Sequence, residues 1–287
     1  MLIHFTKMHG LGNDFVIIDA ISQNINLSPK QIRFIADRHF GIGCDQLLLV
    51  EVSIVENIDF KYRIFNADGS EVEQCGNGAR CFARFVQQKK LTSKTSIRVE
   101  TFSGIITLIT NEQELVTVDM GKPDFNVKQL PFLPSGDDSE LNNRYTLTLD
   151  SAINTEKGQE TVEFSAVSMG NPHITLNVDD LDHYPVHKLG KILEAHPSFP
   201  KRVNVGFMQI INQHQIRLRV YERGTGETLA CGTGACAAVA NAISHQWLAS
   251  PVAVKLPAGS LHIQWQPGQT LMMTGPASFV YEGQIIL

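Results

Sequence analysis

The stretch Phe65-Asn66-Ala67-Asp68-Gly69-Ser70-Glu71-Val72-Glu73-Gln74-Cys75-Gly76-Asn77-Gly78-Ala79 decides the fold, because it occurs twice. It lies without a gap over Tyr221-Glu222-Arg223-Gly224-Thr225-Gly226-Glu227-Thr228-Leu229-Ala230-Cys231-Gly232-Thr233-Gly234-Ala235, which sets Cys75 on Cys231. Upstream, Gly12-Asn13-Asp14-Phe15-Val16-Ile17-Ile18 falls over Gly170-Asn171-Pro172-His173-Ile174-Thr175-Leu176 at nearly the same offset. Two matches in one order at one spacing indicate a duplicated unit, and a duplication fixes the architecture before any local reading does.

Working outward, both halves alternate short β-rich runs with a few helical stretches, an α+β pattern. Strands are expected around Phe15 to Asp19, Leu47 to Val52, Tyr62 to Phe65, Ile97 to Thr101, Ile105 to Thr110 and Leu115 to Met120. In the second half they are expected around Val162 to Val167, His173 to Val178, Val205 to Ile211, Ile216 to Tyr221, Val252 to Leu256, Leu261 to Trp265 and Leu271 to Thr274. Ser28-Pro29 opens a helix that Gly41 closes, and Pro185 opens another through Glu194. The polar stretch from Gly121 to Arg144 reads as linker and surface loop. The expectation is an N-terminal domain over 1–120, completed by 276–287, and a C-terminal domain over 121–275, with the active site in the cleft between them.

Each repeated cysteine follows a turn-rich loop and precedes a helix, so its thiol falls at a helix N-terminus, where unpaired N–H groups favour an anion. After Cys75, the spacing of Ala79, Phe82, Ala83 and Val86 predicts an amphipathic helix. After Cys231, the all-apolar run Ala235 to Ala240 predicts a buried one. A helix N-terminus can lower a thiol pKa from about 8.5 to roughly 3.5–7.5, which makes cysteine a plausible base. The flanking glycines allow close approach of a ligand and leave N–H groups for a carboxylate. Two such thiols facing one ligand could remove a proton on one side and return one on the other. Cys44, Cys81 and Cys236 read as small core residues.

Of the 287 residues, 24 are Lys or Arg and 29 Asp or Glu, a net charge of −5 that offers no basic face to nucleic acid. Met1 to Lys7 lacks the pattern of a secretory signal, and no apolar run is long enough to span a bilayer. Five cysteines without a disulfide framework suit a reducing compartment, so the expected location is cytoplasmic and no membrane partner is expected. The cysteine spacings do not suit zinc, and neither loop completes a nucleotide-binding fingerprint, so no metal and no cofactor are expected. His183, His187 and the nearby Asp179, Asp180 and Asp182 read as a solvated helix start.

The segments Met8 to Phe15, Asn66 to Glu71, Cys75 to Cys81, Gly170 to His173, Glu222 to Gly224 and Ala230 to Ala235 closely resemble diaminopimelate epimerase, along almost the whole chain. The polar loop from Pro131 to Lys157 looks longer than in that family. The resemblance implies two pseudo-symmetric domains, each a mixed, mostly antiparallel sheet wrapped around a central helix. It implies a pyridoxal phosphate-independent isomerase that interconverts LL- and meso-2,6-diaminopimelate for lysine and peptidoglycan precursors. Cys75 and Cys231 would be the exchanging base and acid, with His173 and Glu222 tuning them. Asn13, Gln46, Asn66, Asn171, Asn204, Glu222 and Arg223 would bind the substrate, and Gly76, Asn77, Gly232 and Thr233 its reacting carboxylate. A homodimer is implied, with Tyr281 at the contact. Two other readings are a proline or hydroxyproline racemase of the two-cysteine type, and a non-catalytic ligand-binding module.

Overall fold

The computed structural model describes residues 1–72, 75–126, 130–133, 143–149 and 160–287. The expected linker and the long polar loop therefore lie largely outside the described residues. The chain divides into two compact units, Met1–Asp119 with Thr274–Leu287, and Met120–Met273.

The first unit runs β1 (Leu2–Gly10), β2 (Asn13–Asp19), α1 (Pro29–Ala36), β3 (Gln46–Glu51), β4 (Phe60–Asn66), β5 (Glu71–Val72), α2 (Gly76–Gln88), β6 (Ser96–Thr101), β7 (Gly104–Thr110) and β8 (Val116–Asp119). The second runs β9 (Arg144–Leu149), β10 (Glu160–Ser168), β11 (Pro172–Asn177), α3 (Val186–Glu194), β12 (Asn204–Asn212), β13 (Gln215–Glu222), β14 (Gly226–Thr228), α4 (Gly232–Ser244), β15 (Val252–Leu256) and β16 (Gly259–Gln264). β17 (Met272–Gly275) crosses the division of the chain, and β18 (Ser278–Ile286) returns to the first unit, antiparallel to β1.

The duplication is visible in the strand pairings. In the first unit β1 and β2 are antiparallel, β2 and β3 parallel, β3 and β4 antiparallel, β4 and β6 parallel. In the second, β10 and β11, β11 and β12, β12 and β13, and β13 and β15 repeat that series in the same senses. A parallel neighbour needs a crossover, and α1, α2, α3 and α4 lie, in chain order, within the four crossovers. This is an α+β fold with mixed, mainly antiparallel pairing.

Local chemistry starts and stops the helices. Ser28 caps α1 and forms a capping box with Gln31, and Pro29 takes the first helical position. The helix ends at Ala36, five residues short of the expected Gly41, because the Asp37 side chain turns back to the N–H groups of His39 and Phe40. The apolar face of α1, Ile32 and Ile35, packs on Ile3, Val16, Ile18, Leu47, Leu49 and Phe65. Residues Phe15 to Ile18 are all buried, so both faces of β2 are covered. α3 packs Leu189 and Leu193 into a second core that holds Phe132, Phe164 and Phe199, with Phe132 and Phe199 stacked at 5.0 Å. Among the described residues no helix is long and apolar enough to cross a membrane.

Gly190 lets α3 lie close on β13, since a Cβ there would fall 2.6 Å from the Tyr221 ring. Alanine would add helix propensity of roughly 0.5–1 kcal/mol, but overpacking costs about 1–3 kcal/mol. Gly190→Ala is therefore expected to be destabilising, read as a lower midpoint in urea unfolding with an unchanged slope.

Candidate active site

Cys75 and Cys231 hold the same place in the two units. Each is the N-cap residue of a thirteen-residue helix, α2 or α4, with extended backbone, and neither sulfur makes a regular cap hydrogen bond to its own helix. The first intrahelical bonds run from Ala79 N to the Cys75 carbonyl and from Ala235 N to the Cys231 carbonyl. The N–H groups of Gly76 and Asn77, and of Gly232 and Thr233, lie in the first turn ahead of those bonds, where a helix has no acceptor of its own to offer. Both helices are buried, so the positive end of each dipole stands in a poorly screened place.

Around each thiol, three successive strands end in polar residues. In the first unit Asn13 opens β2, Gln46 opens β3 and Asn66 closes β4, with Gln46 opposite Asn66 in register and its Nε2 donating to Asn66 Oδ1 at 2.9 Å. In the second, Asn171 and His173 stand at the start of β11, Asn204 opens β12 and Glu222 closes β13, with His173 opposite Asn204. Asn204 Nδ2 donates to the Pro172 carbonyl at 2.9 Å, and its Oδ1 accepts the Arg223 N–H at 3.0 Å. The structure thus joins Asn13 to Cys75, which Gly76 and Asn77 follow in the chain, and Thr233 and Glu222 to Cys231, with Asn171 and His173 linked through Thr233; Gln46 and Asn66 stand at neighbouring strand ends of the first unit, and Asn204 and Arg223 at those of the second. Tyr281 stands apart on β18, partly exposed and edge-on to Phe5.

The two sulfurs have different surroundings. Cys75 is half-buried and donates to Asn13 Oδ1 at 3.6 Å. Tyr62 donates to the Cys75 carbonyl at 3.5 Å, and a Cβ on Gly78 would stand 2.8 Å from the Tyr62 Oη, so glycine is required there. Cys231 is 4 % exposed, with Thr233 Oγ1 at 3.6 Å from its sulfur. Burial, and next the Glu222 carboxylate, push its thiol well above the ordinary cysteine value, against the Thr233 hydroxyl and Gly234 N–H that favour the thiolate. That differs from the depressed value expected of a helix N-terminus, because desolvation of a fully enclosed sulfur outweighs the dipole.

His173 is 1 % exposed, and burial, reinforced by the Arg223 charge, pulls its pKa down to about 3. The imidazole is neutral near pH 7, and its Nε2 meets Asn171 Oδ1 at 3.0 Å. Asn171 Nδ2 in turn donates to Thr233 Oγ1 at 3.5 Å, which links His173 to the Cys231 loop. Glu222 accepts from Thr228 at 2.5 Å. Cys44, Cys81 and Cys236 are buried in the cores, and burial raises Cys44 to about 11 and Cys81 well above its ordinary value.

Missed by sequence reasoning were Asp14, Arg38, Asp45 and Arg80, which bear on Asn13 and Asn77. Arg38 is bidentate to Asp14, at 3.0 and 2.7 Å, and reaches Asp45 at 2.8 Å. Their signal was faint: Asp14 sits inside the repeated Gly-Asn segment where the second copy has Pro172.

The model of the diaminopimelate epimerase family matches residues 5–126 and 165–280. The chain belongs to this family. Diaminopimelate epimerase from Psychrobacter sp. (strain PRwf-1) is 56% identical over 99% of this chain and 94% of the relative. Diaminopimelate epimerase from Pseudomonas aeruginosa (strain LESB58) is 56% identical over the full length of both. Among solved structures, a Bacillus anthracis phenazine biosynthesis protein of the PhzF family has a TM-score of 0.70 at 17% identity, covering 100% of both chains. A hydroxyproline epimerase from Agrobacterium vitis has a TM-score of 0.66 at 14% identity, covering 99% of this chain and 92% of that one. These two share the fold, while the relatives of high identity fix this epimerase's family and make it an isomerase.

In this epimerase, Glu222→Gln is expected to let the Cys231 thiol ionise at lower pH, because the charge that opposes the thiolate is removed. The thiolate's ultraviolet absorbance, followed against pH in Cys75→Ala and in Cys75→Ala with Glu222→Gln, would show the shift; an unmoved titration contradicts it.

Proposed function

We propose that this epimerase interconverts LL- and meso-2,6-diaminopimelate, with neither metal nor organic cofactor, by proton exchange between Cys75 and Cys231 at the substrate α-carbon. The observation that carries the reading is the duplicated N-cap cysteine, at one topological position in both units of a chain from this family. One sulfur, as thiolate, takes the α-proton and becomes a thiol; the other gives its proton to the opposite face and becomes a thiolate. The protons balance, and the roles reverse with the direction of turnover.

The α-proton of an amino acid is a very weak acid, so the charge that develops on its removal needs stabilisation in place. The first-turn N–H groups of Gly76, Asn77, Gly232 and Thr233 are suited to the α-carboxylate, with two positive helix ends behind them. Asn13, Gln46, Asn66, Asn171, Asn204, Glu222 and Arg223 suit the polar groups of a substrate that carries a second amino-acid end. A proline or hydroxyproline racemase would bind a compact cyclic substrate, which this set of amides and Arg223 fits less well. His173, neutral and buried, acts on Cys231 by orienting Asn171 rather than by its own charge.

The reaction supplies lysine and peptidoglycan precursors, and the exchanging thiols suit the reducing cytoplasm, since an oxidised sulfur can neither take nor give a proton. The working form is a homodimer with Tyr281 at the contact. Tyr281→Ala is expected to shift the mass measured by light scattering from dimer toward monomer; a monomeric wild type removes this part of the reading.

Proton NMR of LL-diaminopimelate in deuterated water tests the chemistry. Wild type is expected to form the meso isomer with deuterium at the α-carbon, and Cys75→Ala and Cys231→Ala each to lose that conversion by several orders of magnitude. Retained conversion in either variant rules out the two-thiol exchange.

A further inference from the structure

Asn13 meets the Cys75 sulfur at 3.6 Å, and an amide can turn either an oxygen or an NH₂ toward it. The two choices have opposite effects: an oxygen accepts from S–H and favours the protonated sulfur, whereas an N–H favours the thiolate. Which one faces Cys75 is settled by a chain of hydrogen bonds within the first unit.

At one end is Arg80, 0 % exposed, whose guanidinium can only donate. Its Nη2 donates to Asn77 Oδ1 at 2.8 Å, and its Nε and Nη1 are held by the Pro276 and Gly76 carbonyls at 3.1 and 3.3 Å. Asn77 must therefore present its Nδ2 on the other side, and it donates to Asn13 Oδ1 at 3.2 Å. At the far end is Asp45, whose carboxylate can only accept. Its Oδ2 takes Asn13 Nδ2 at 2.9 Å and the Asp14 N–H at 3.0 Å. Arg38 bridges Asp45 and Asp14, and Lys7 donates to Asp14 at 2.6 Å and to the Gly43 carbonyl. Burial alone would raise Asp14, but Arg38, Lys7 and the Asp45 N–H hold it well below the usual carboxylate range, so Asp14 stays charged. Glycine at position 10 makes room, since a Cβ there would lie 3.2 Å from Arg80 Nη2 and from Asn77.

We propose that Arg80 and Asp45 are positioning residues which fix the polarity of the Asn77–Asn13 relay, so that an acceptor oxygen and not a donor faces the Cys75 sulfur. Both act on the sulfur through Asn13. One end can only give hydrogen bonds and the other can only take them, so both amides are locked in one orientation. Among the described residues the second unit shows no such lock at the matching place: Asn171 meets a neutral imidazole, which can donate or accept. The inference deepens the reading of Cys75 as one of two exchanging thiols and rests on it, yet it is tested on the sulfur without turnover.

The experiment is the pH profile of Cys75 alkylation by iodoacetamide in the full chain, followed by peptide mass spectrometry. Facing Cys75 within its unit, among the described residues, are Asn13 from the start of β2, Tyr62 from β4 and Cys81 from α2, with Arg80 on the adjacent Gly76 carbonyl, and the substitutions leave all four in place. The Asp45 side chain is 45% exposed, so its replacement leaves the buried core untouched. Asp45→Ala releases Asn13 Nδ2 and is expected to raise the alkylation rate, at pH below the profile's midpoint, by about tenfold, the equivalent of one pH unit. Asp45→Asn, which keeps an oxygen for Asn13, is expected to restore most of the wild-type profile. Arg38→Gln, which removes a nearby charge but keeps the carboxylate, is expected to leave it close to wild type. Should Asp45→Ala not melt cooperatively, Asp45→Ser takes its place. An unmoved profile overturns the proposal, and so does an equal shift in Asp45→Asn and Arg38→Gln, which would trace the effect to net charge. Loss of deuterium incorporation by Cys75→Ala bears on the function alone, so the two failures are distinct.

Discussion

The arrangement depends on one constraint: a cysteine occupies the N-cap of a buried helix, where Ser, Thr, Asp or Asn would usually satisfy the first-turn N–H groups. Giving up that cap leaves the first-turn N–H groups facing at most a weakly accepting sulfur and open to a ligand carboxylate. The surroundings compensate. The carbonyl of Cys75 receives the Tyr62 hydroxyl, which only a glycine at 78 allows to approach. A Cβ on Gly234 would press on Val220 at 3.0 Å and on the Cys231 sulfur at 3.3 Å, so glycine again keeps the sulfur in place. The glycines after each cysteine are thus required by packing around the thiol as well as by ligand approach.

Duplication supplied the backbone and divergence supplied the chemistry. The three strand ends around each cysteine correspond: Asn13 with Asn171, Gln46 with Asn204, Asn66 with Glu222. Two of these pairs are amide with amide, while the third puts a carboxylate beside only one sulfur. Burial differs in the same sense, since Cys231 is enclosed and Cys75 half-buried. Identical units would give two thiols of equal proton affinity. The observed differences let the same fold hold two sulfurs on different terms, one governed by desolvation and a charge, the other by an amide whose orientation is set from a distance.

The repeat was legible in the sequence because Cys-Gly-x-Gly-Ala and its preceding loop are short, rigid in their needs and present twice. α2 was legible from the spacing of Phe82, Ala83 and Val86, and α4 from its unbroken apolar run. β1 was not read as a strand: His4, Thr6, Lys7 and His9 interrupt its pattern, and Lys7 is buried only because Asp14 and Gly43 receive it. β18 was missed because residues such as Val280, Tyr281 and Ile286 are exposed, so its apolar residues do not mark an inner face. β9 starts at the last residue of the stretch taken for linker and lies within the polar loop from Pro131 to Lys157. Arg80 and Asp45 were given no role from the sequence. Their link through two amides joins α2 to the start of β2 and the residue before β3, and no local pattern encodes it.

A two-thiol exchange needs one sulfur ionised, yet each sulfur faces a group that favours the proton. Asn13 turns an oxygen to Cys75, and burial with Glu222 raises Cys231. A protonated sulfur is the chemically quiet form, slow to oxidise and slow to alkylate. What tips the balance must therefore arrive with the substrate, and an amino acid brings an ammonium group beside the carbon that is to lose its proton. A cation entering a dry site acts on a nearby sulfur far more strongly than it would in water. The cost of removing that first proton is thereby met only when there is a carbon to work on. The amide relay at Asn13 suits this role because a neutral hydrogen bond is worth only about 0.5–1.5 kcal/mol. A contribution of that size is small enough for a bound cation to override.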